Sequence, residues 1–328
     1  VDELEAFVAK ERGLAFTAPV KVTLLDDAAF RRRLLDDEER DQQEVEEVQR
    51  VLAALHLIDR DIDLGKTLDE LFGGVTAGFY DSKTKELVVR GARPTPYVKE
   101  ILVHELTHAL EDQHFDLDRS ELGDEAFLGF LALAEGSAGR VEDAYRASLP
   151  TADRRAADRE EQSWAGAVSD VPTVVQLLLG FPYIFGPELV TAIVRAGGQR
   201  RLDEAFRDPP ASTEQALDPP RYLRGDDPKP VPAPRADGTA FDDGEIGAFF
   251  LSLMLGTELD EDEAAGAVEG WGGDHYVAWR EGRATCVRMT FVMDTPADTA
   301  ELTGALAEWA GGRGDTADAD GTTLRTCG

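Results

Sequence analysis

Apolar positions along the chain change their period several times, and each period predicts an element. Residues 20–25 (VKVTLL) alternate and carry β-branched side chains, the mark of a strand. From residue 27 to about 57, leucine, valine and phenylalanine recur at helical spacing among charged residues, which predicts one long amphipathic helix. A short helix over 67–72 ends at Gly73-Gly74. Residues 75–80 and 86–90 alternate on either side of Asp81-Ser82-Lys83-Thr84-Lys85, a β-hairpin with a polar loop. Pro94 and Pro96 mark a break, and helices follow over 95–114 and 124–146. Residues 150–161 are a polar, helix-rich connection. The apolar stretch 171–197 is interrupted by Gly180, Pro182 and Gly186, which suggests two packed helices joined by a turn. Residues 209–234 are proline-rich and irregular, and 244–255 form an apolar helix. The tail reads strand (276–280), turn, strand (285–293), helix (297–310) and strand (322–326). This is an α+β pattern, helix-rich, with a small mixed sheet and a C-terminal β-rich unit. A boundary near 147–160 divides it into lobes 1–150 and 151–328, the second closing a cleft against the first. The most apolar runs, 126–134 and 174–179, are too short to span a bilayer, so no transmembrane segment is expected.

Charge narrows the range of partners. Lys and Arg total 34 against 65 Asp and Glu, a net charge of −31. Such a surface repels phosphate backbones and argues against nucleic-acid binding, while it favours solubility and attracts cations. The chain starts at Val1 without an n-region or h-region, which fits either a trimmed cytosolic protein or removal of a targeting segment. The two cysteines, Cys286 and Cys327, are the right number for one disulfide in an exported protein. The expectation is therefore an extracellular or cell-envelope location, with a cytoplasmic setting still open.

Chemistry concentrates in one of the predicted helices. His104-Glu105-Leu106-Thr107-His108 is an HExxH string. Residues i and i+4 share a helix face, so both imidazoles can reach one cation, and zinc accepts neutral imidazole nitrogen readily. Glu105 sits about 100° round the helix, where it flanks the metal and can take a proton from water. Ile101, Leu102, Val103, Leu106 and Leu110 supply a packing surface. Two residues compete as the third ligand. His114 has the spacing of HExxHxxGxxH enzymes, but Glu111 stands where their helix-breaking glycine would be. On an unbroken helix His114 points roughly 120° from His108 and lies about 9 Å further along. Glu135 is favoured: a carboxylate in the middle of an apolar helix is costly unless paired or metal-bound. The small residues Gly136, Ala138 and Gly139 would let its helix approach the histidine helix closely. Three protein ligands leave the fourth zinc position open, as a catalytic site requires.

HELTHALEDQHF (104–115) with LALAEGSA (131–138) resembles a group of bacterial neutral zinc metallopeptidases, often exported or lipid-anchored. GFYDSKTKELVVRG (78–91), FPYIFG (181–186), PPASTEQALDPPRY (209–222) and GWGGDHY (270–276) extend the likeness over most of the chain. The resemblance implies a gluzincin-like zincin fold, with zinc on His104, His108 and Glu135 and Glu105 as base, hydrolysing peptide or protein substrates. It departs from thermolysin-like enzymes, in which an Asp four residues after the ligand Glu orients a ligand histidine. That position is Gly139 here, so Asp112, Glu142 and Asp143 stand as alternatives.

Secondary features complete the expectation. One of the hairpin strands, 75–80 or 86–90, would hold an extended substrate by β-augmentation. In the glycine-rich segment 270–276, His275 and Tyr276 are candidate transition-state donors, with Asp274 to orient them. Ser212 with Gln215 fits a capping box, and Glu214 is a weaker candidate for lining the cleft. The rival reading keeps the fold without activity, as a catalytically inactive binding protein of the cell envelope. The intact Glu105 argues against it, because a binding module has no need of that base. A hydrolase acting on something other than peptide is a further alternative.

Overall fold

The computed structural model of the chain describes residues 1–37, 42–91, 93–164 and 171–328. Its mixed α+β architecture has two sheets. The first runs β1-β3-β2: β1 (Lys21–Leu25) is parallel to β3 (Glu86–Arg90), and β2 (Gly78–Asp81) is antiparallel to β3. The hairpin forms as its loop residues dictate. The Asp81 carboxylate accepts the N–H groups of Lys83 and Thr84 at 2.8 and 3.1 Å, an Asx-type turn. The second sheet has five strands in the order β4 (Ala240–Gly244), β5 (Trp271–Glu281), β6 (Ala284–Met293), β8 (Thr323–Cys327), β7 (Ala317–Asp320). Cys286 of β6 lies opposite Cys327 of β8, and the two are joined by a disulfide.

Helices surround both sheets: α1 (Asp2–Arg12), α2 (Asp27–Asp37), α3 (Gln42–Ala54), α4 (Leu64–Val75), α5 (Pro96–Phe115), α6 (Asp124–Ser148), α7 (Thr151–Trp164) and α8 (Thr173–Arg207) come first. Then follow α9 (Thr213–Leu217), α10 (Pro219–Arg224), α11 (Gly247–Leu255), α12 (Glu261–Val268) and α13 (Pro296–Arg313). The HExxH string lies in α5, which starts where its cap residues direct. Thr95 accepts the N–H of Val98, and Pro96, with no N–H to leave unpaired, takes the first turn.

Several boundaries differ from the sequence pattern. The long helix expected over 27–57 is α2 and α3, and residues 38–41 in its middle lie outside the described residues. Gly73-Gly74 do not end α4, which continues to Val75, so the strand expected from 75 starts at Gly78. Leu64, Leu68 and Leu71 of α4 pack into a core, and that burial outweighs the roughly 1 kcal/mol each glycine costs in a helix. Nor do Gly180, Pro182 and Gly186 break α8. The break comes at Gly197-Gly198, where Gly198 has φ +69°. Phe181, Leu189, Val190 and Ile193 of α8 are buried against α6, and this packing overrides the local breakers. The merged helix is longer than expected. Among the described residues α8 alone is long and apolar enough to cross a membrane by length and composition, and a third of that apolar window is buried within the protein.

Among the described residues three large hydrophobic cores result, with two small clusters beside them, around Phe30 with Val88 and around Trp279. One joins α1, β3, α5 and α6 through Leu4, Val8, Leu87, Leu106 and Val141. A second joins α6, α8 and α11 through Phe130, Leu133, Phe181 and Phe249. The third wraps the five-stranded sheet and draws in α3 and α4, with Leu52, Leu71, Trp271 and Trp309 buried together. The packing therefore crosses residues 147–160: α3 belongs with the C-terminal sheet, and Thr326 donates a hydrogen bond to the Ala54 carbonyl at 3.0 Å.

A buried carboxylate ties α6 to the second half of the chain. Glu125 is 1 % exposed and accepts both the N–H and the hydroxyl of Thr213, at 2.9 and 2.7 Å. Burial pushes its pKa up to about 8 from a usual 4.5. The unfolded chain then releases this proton first, so Glu125 removes stability as pH rises from about 4.5 to 8. Glu125→Gln keeps an acceptor for Thr213 without the charge. Its melting temperature should exceed that of wild type by a margin that widens from pH 5 to 8, at up to roughly 1.4 kcal/mol per pH unit. A margin that stays constant over that range, measured by thermal unfolding, would contradict the assignment.

Candidate metal centre

Helices α5 and α6 pack together, and three donor atoms meet between them. His104 Nε2 and His108 Nε2 are 3.2 Å apart. Glu135 Oε2, from α6, lies 3.0 Å from His104 Nε2 and 3.6 Å from His108 Nε2. Zinc–ligand bonds of about 2.0–2.1 Å at tetrahedral angles set ligand atoms about 3.3 Å apart. The observed triangle matches that spacing, and all three side chains are partly buried.

Charge within the cluster is tightly coupled. Burial resists ionisation of Glu135, but His108 and His104 hold its carboxyl well below the usual carboxylate range. Burial likewise opposes a charged His104, yet its hydrogen bonds to Glu135 and Glu142 hold its pKa well above the imidazole range. A divalent cation must displace these protons, so its affinity will rise with pH. Glu105, 8 % exposed, has its carboxyl pushed up by burial against the pull of the two histidines.

His104 is held from behind. His104 Nδ1 donates to Glu142 Oε2 at 2.9 Å, which fixes the ring so that Nε2 points at the centre. Of the three alternatives for this role, Glu142 fills it. It lies seven residues after Glu135, two turns along the same face of α6. Asp112 instead takes the Tyr80 hydroxyl and the Lys85 ammonium, at 2.7 and 2.6 Å. Glu111 anchors α5. It receives Arg12 Nε at 2.6 Å and the Ser137 hydroxyl, and both members of the ion pair are fully buried. Arg12 also reaches Asp203 at 2.7 Å, so α1 clamps α5 and the end of α8. His114, the less favoured candidate for third ligand, donates instead to the Ala15 carbonyl at 2.8 Å.

A cleft of about 450 Å³ opens beside His104 and Glu105. One wall is the start of β2, with Thr76, Ala77 and Gly78, and the other is α8, with Gln176, Gly180 and Tyr183. Because β3 is paired on both sides, among the described residues β2 is the free edge on this side of the sheet. Gly78 lets that edge lie on α5: a Cβ there would sit 2.6 Å from Ile101 Cγ2 and 3.3 Å from Glu105 Cγ.

Gly136 approaches α8, not the histidine helix. A Cβ at Gly136 would collide with the Gly186 carbonyl, and one at Gly186 with the Ala132 carbonyl, so α6 and α8 touch backbone to backbone. Tyr183, three residues before Gly186, stands on the α8 wall of the cleft. It lines the cleft beside His104 and Glu105 and is 60 % exposed. Sequence reasoning missed Tyr183 because the breakers around it suggested a turn. Its exposure, with that of Ile184, shows only in the fold.

His275 and Tyr276 are not brought to this cleft, which corrects the expectation from residues 270–276. His275 Nε2 is 3.2 Å from Asp243, and the Tyr276 hydroxyl donates to Asp242 at 2.7 Å, both on β4. Tyr276 lines a separate cavity with Asp124 and Phe127. Asp274 is buried and structural: it accepts the N–H groups of Ile246 and Gly247 at 2.7 and 2.8 Å and the Trp271 indole at 3.0 Å. Glu214 is likewise engaged, with Arg221 at 3.4 Å. Ser212 caps α9 by accepting the Gln215 N–H at 3.3 Å, as its spacing suggested.

A family described only as a domain of unknown function, DUF8575, matches residues 235–327. That stretch holds the five-stranded sheet with α11 to α13 and contains neither the donor triangle nor the cleft. No curated protein and no solved structure matches the chain.

Proposed function

We propose that this chain is a zinc metallopeptidase of zincin type, with His104, His108 and Glu135 as ligands. The observation that carries the reading is the donor triangle with Glu105 beside it, facing a free strand edge. Two imidazoles and one carboxylate suit zinc over magnesium or calcium, which prefer all-oxygen shells. Zinc bound there would polarise a peptide carbonyl and acidify water.

The remaining steps belong to the protein. The edge of β2 pairs with an extended peptide through its free N–H and C=O groups and lays it along the cleft. Glu105, in a dry position, accepts a proton from the attacking water and passes it to the leaving amine as the C–N bond breaks. Its pKa, raised by burial, suits a group that must both take and return a proton. Glu142 keeps His104 in the orientation that presents Nε2. The acidic surface favours cationic polypeptides, and the Cys286–Cys327 disulfide supports an extracellular or cell-envelope location.

Two measurements test this. Elemental analysis after zinc loading at neutral pH should find one zinc per wild-type and His114→Ala chain and none in Glu135→Ala. In Glu142→Ala the affinity should fall about 10- to 100-fold. Zinc retained without Glu135 would refute the ligand set. Glu105→Gln should bind zinc like wild type yet lose hydrolysis of fluorescein-labelled casein; residual turnover near the wild-type rate would eliminate Glu105 as base.

A further inference from the structure

We infer that a second cavity, at the hairpin end of the five-stranded sheet, is an anion site that takes the phosphate or diphosphate group of a small molecule. It is independent of the metal centre: the cavity shares no lining residue with the cleft beside His104. Its volume is about 480 Å³, and it lies where the turn between β5 and β6 projects past α3. Four arginines line it. Arg50 comes from α3, Arg60 from the segment after it, and Arg280 and Arg283 from the hairpin. Among the described residues no aspartate or glutamate joins them.

That grouping runs against the rest of the chain, where acidic residues outnumber basic ones by 65 to 34. Many of the other arginines stand beside carboxylates, as Arg12 does with Glu111, Arg146 with Glu100 and Arg313 with Glu258. In the cavity only Arg50 has such a partner among the described residues, Glu46 at 2.9 Å. Arg60 and Arg283 have none, and Arg280 lies over the Phe241 ring, 5.9 Å from its centroid. Guanidinium groups stay charged, so four around one space repel one another until an anion enters. Two uncharged residues add donors. Thr285 is 8 % exposed and pairs with Arg280 across the ladder, so both side chains leave the sheet on the face that α3 covers. Its hydroxyl has no hydrogen-bond partner among the described residues. Gln49 accepts the Leu64 N–H through its amide oxygen at 3.1 Å, which leaves its amide N–H groups to donate.

This donor set selects the ligand. Arginine presents paired N–H groups that match the oxygens of carboxylate and phosphate. A single carboxylate brings one charge to four guanidinium groups, whereas a phosphate group brings three acceptor oxygens and about two charges. Polymeric anions are disfavoured by the surroundings. Screening limits the pull of the arginines to about 8 Å, and a longer strand of phosphates would run over a surface whose net charge is −31. A compact anion stays within reach. A bound anion would also bridge α3 and the hairpin, and so stabilise the folded chain by mass action.

The test is calorimetric titration of inorganic diphosphate, ADP and acetate into the protein with no zinc added. Wild type is compared with Arg60→Ala and Arg283→Ala, and with Arg200→Ala as a control. Arg60 and Arg283 are exposed, so neither change should disturb the fold, and equal melting temperatures without anion verify this. Arg200 lies outside the cavity, on α8, paired with Glu204. Diphosphate should bind wild type and Arg200→Ala alike and more weakly as salt is added. Its affinity should fall about 10-fold or more in each cavity variant, and acetate should bind far more weakly than diphosphate. ADP binding tighter than diphosphate supports a phosphate carried by a larger molecule, and the reverse order supports a free inorganic anion. No heat from diphosphate with wild type, undiminished affinity in both cavity variants, or acetate binding as tightly as diphosphate overturns the inference.

Discussion

Gly136 and Gly186 put the backbones of α6 and α8 in contact, and the geometry of the cleft follows from that crossing. Helices separated by ordinary side chains run about 8–10 Å apart. Without a Cβ on either side the axes come closer, and the residues flanking the glycines share one small space. Glu135 precedes Gly136 by one residue, and Tyr183 precedes Gly186 by three. The same helix carries Glu142, two turns on, against the back of His104. Glu135 and Glu142 on α6 and the Tyr183 phenol on α8 are thus ordered by one backbone contact. Helix α5 enters the arrangement from the other side of α6, held by the buried Arg12–Glu111 pair.

The electrostatics of this protein turn on where carboxylates are allowed inside. An excess of acid on the surface is solvated, but each buried carboxylate loses several kcal/mol of hydration and needs compensation. Glu111 has Arg12, Asp112 has Lys85 and Tyr80, and Asp274 has two backbone N–H groups and an indole. Glu100, fully buried, has Arg146 at 2.9 Å, and burial still pushes its pKa to about 7. Glu135 stands apart, because its ionic partners are two histidines that themselves resist being charged while buried. A divalent cation held there would compensate all three at once, which sets this cluster apart from the other acidic ones.

The parts of this site legible in the sequence were those governed by local rules. Period and the Pro94–Pro96 break placed α5, and the i, i+4 spacing put His104 and His108 on one face. Glu135 stood out as a carboxylate among apolar neighbours, and a two-turn interval could have singled out Glu142. Tyr183 and Arg12 were not legible, because their roles depend on contacts between distant segments. Arg12 meets Glu111 across 99 residues, and nothing in the charged pattern of α1 announces a buried end. Around Tyr183 the local rules pointed the wrong way. Glycine and proline within 180–187 signal a turn, yet Gly186 serves a helix crossing and Pro182 is buried inside a continuous helix.

The segment 270–276 was misread for a related reason, and its own periodicity held the correction. Glycines beside histidine and tyrosine suggest a flexible loop bearing donors, but Trp271 to Glu281 is one strand. Neighbouring residues on a strand point to opposite faces. His275 and Tyr276 could therefore never have aimed at one substrate atom, and each instead meets a different aspartate of β4. What the segment does is anchor: Asp274 gathers the start of α11 and the Trp271 ring, fastening α11 to the sheet from inside. Donors on α8, where side chains three and four residues apart share a face, can converge on a point above α6. Donors on adjacent strand positions cannot, and that difference in period is why residues 270–276 fasten α11 to the sheet instead of converging on one site.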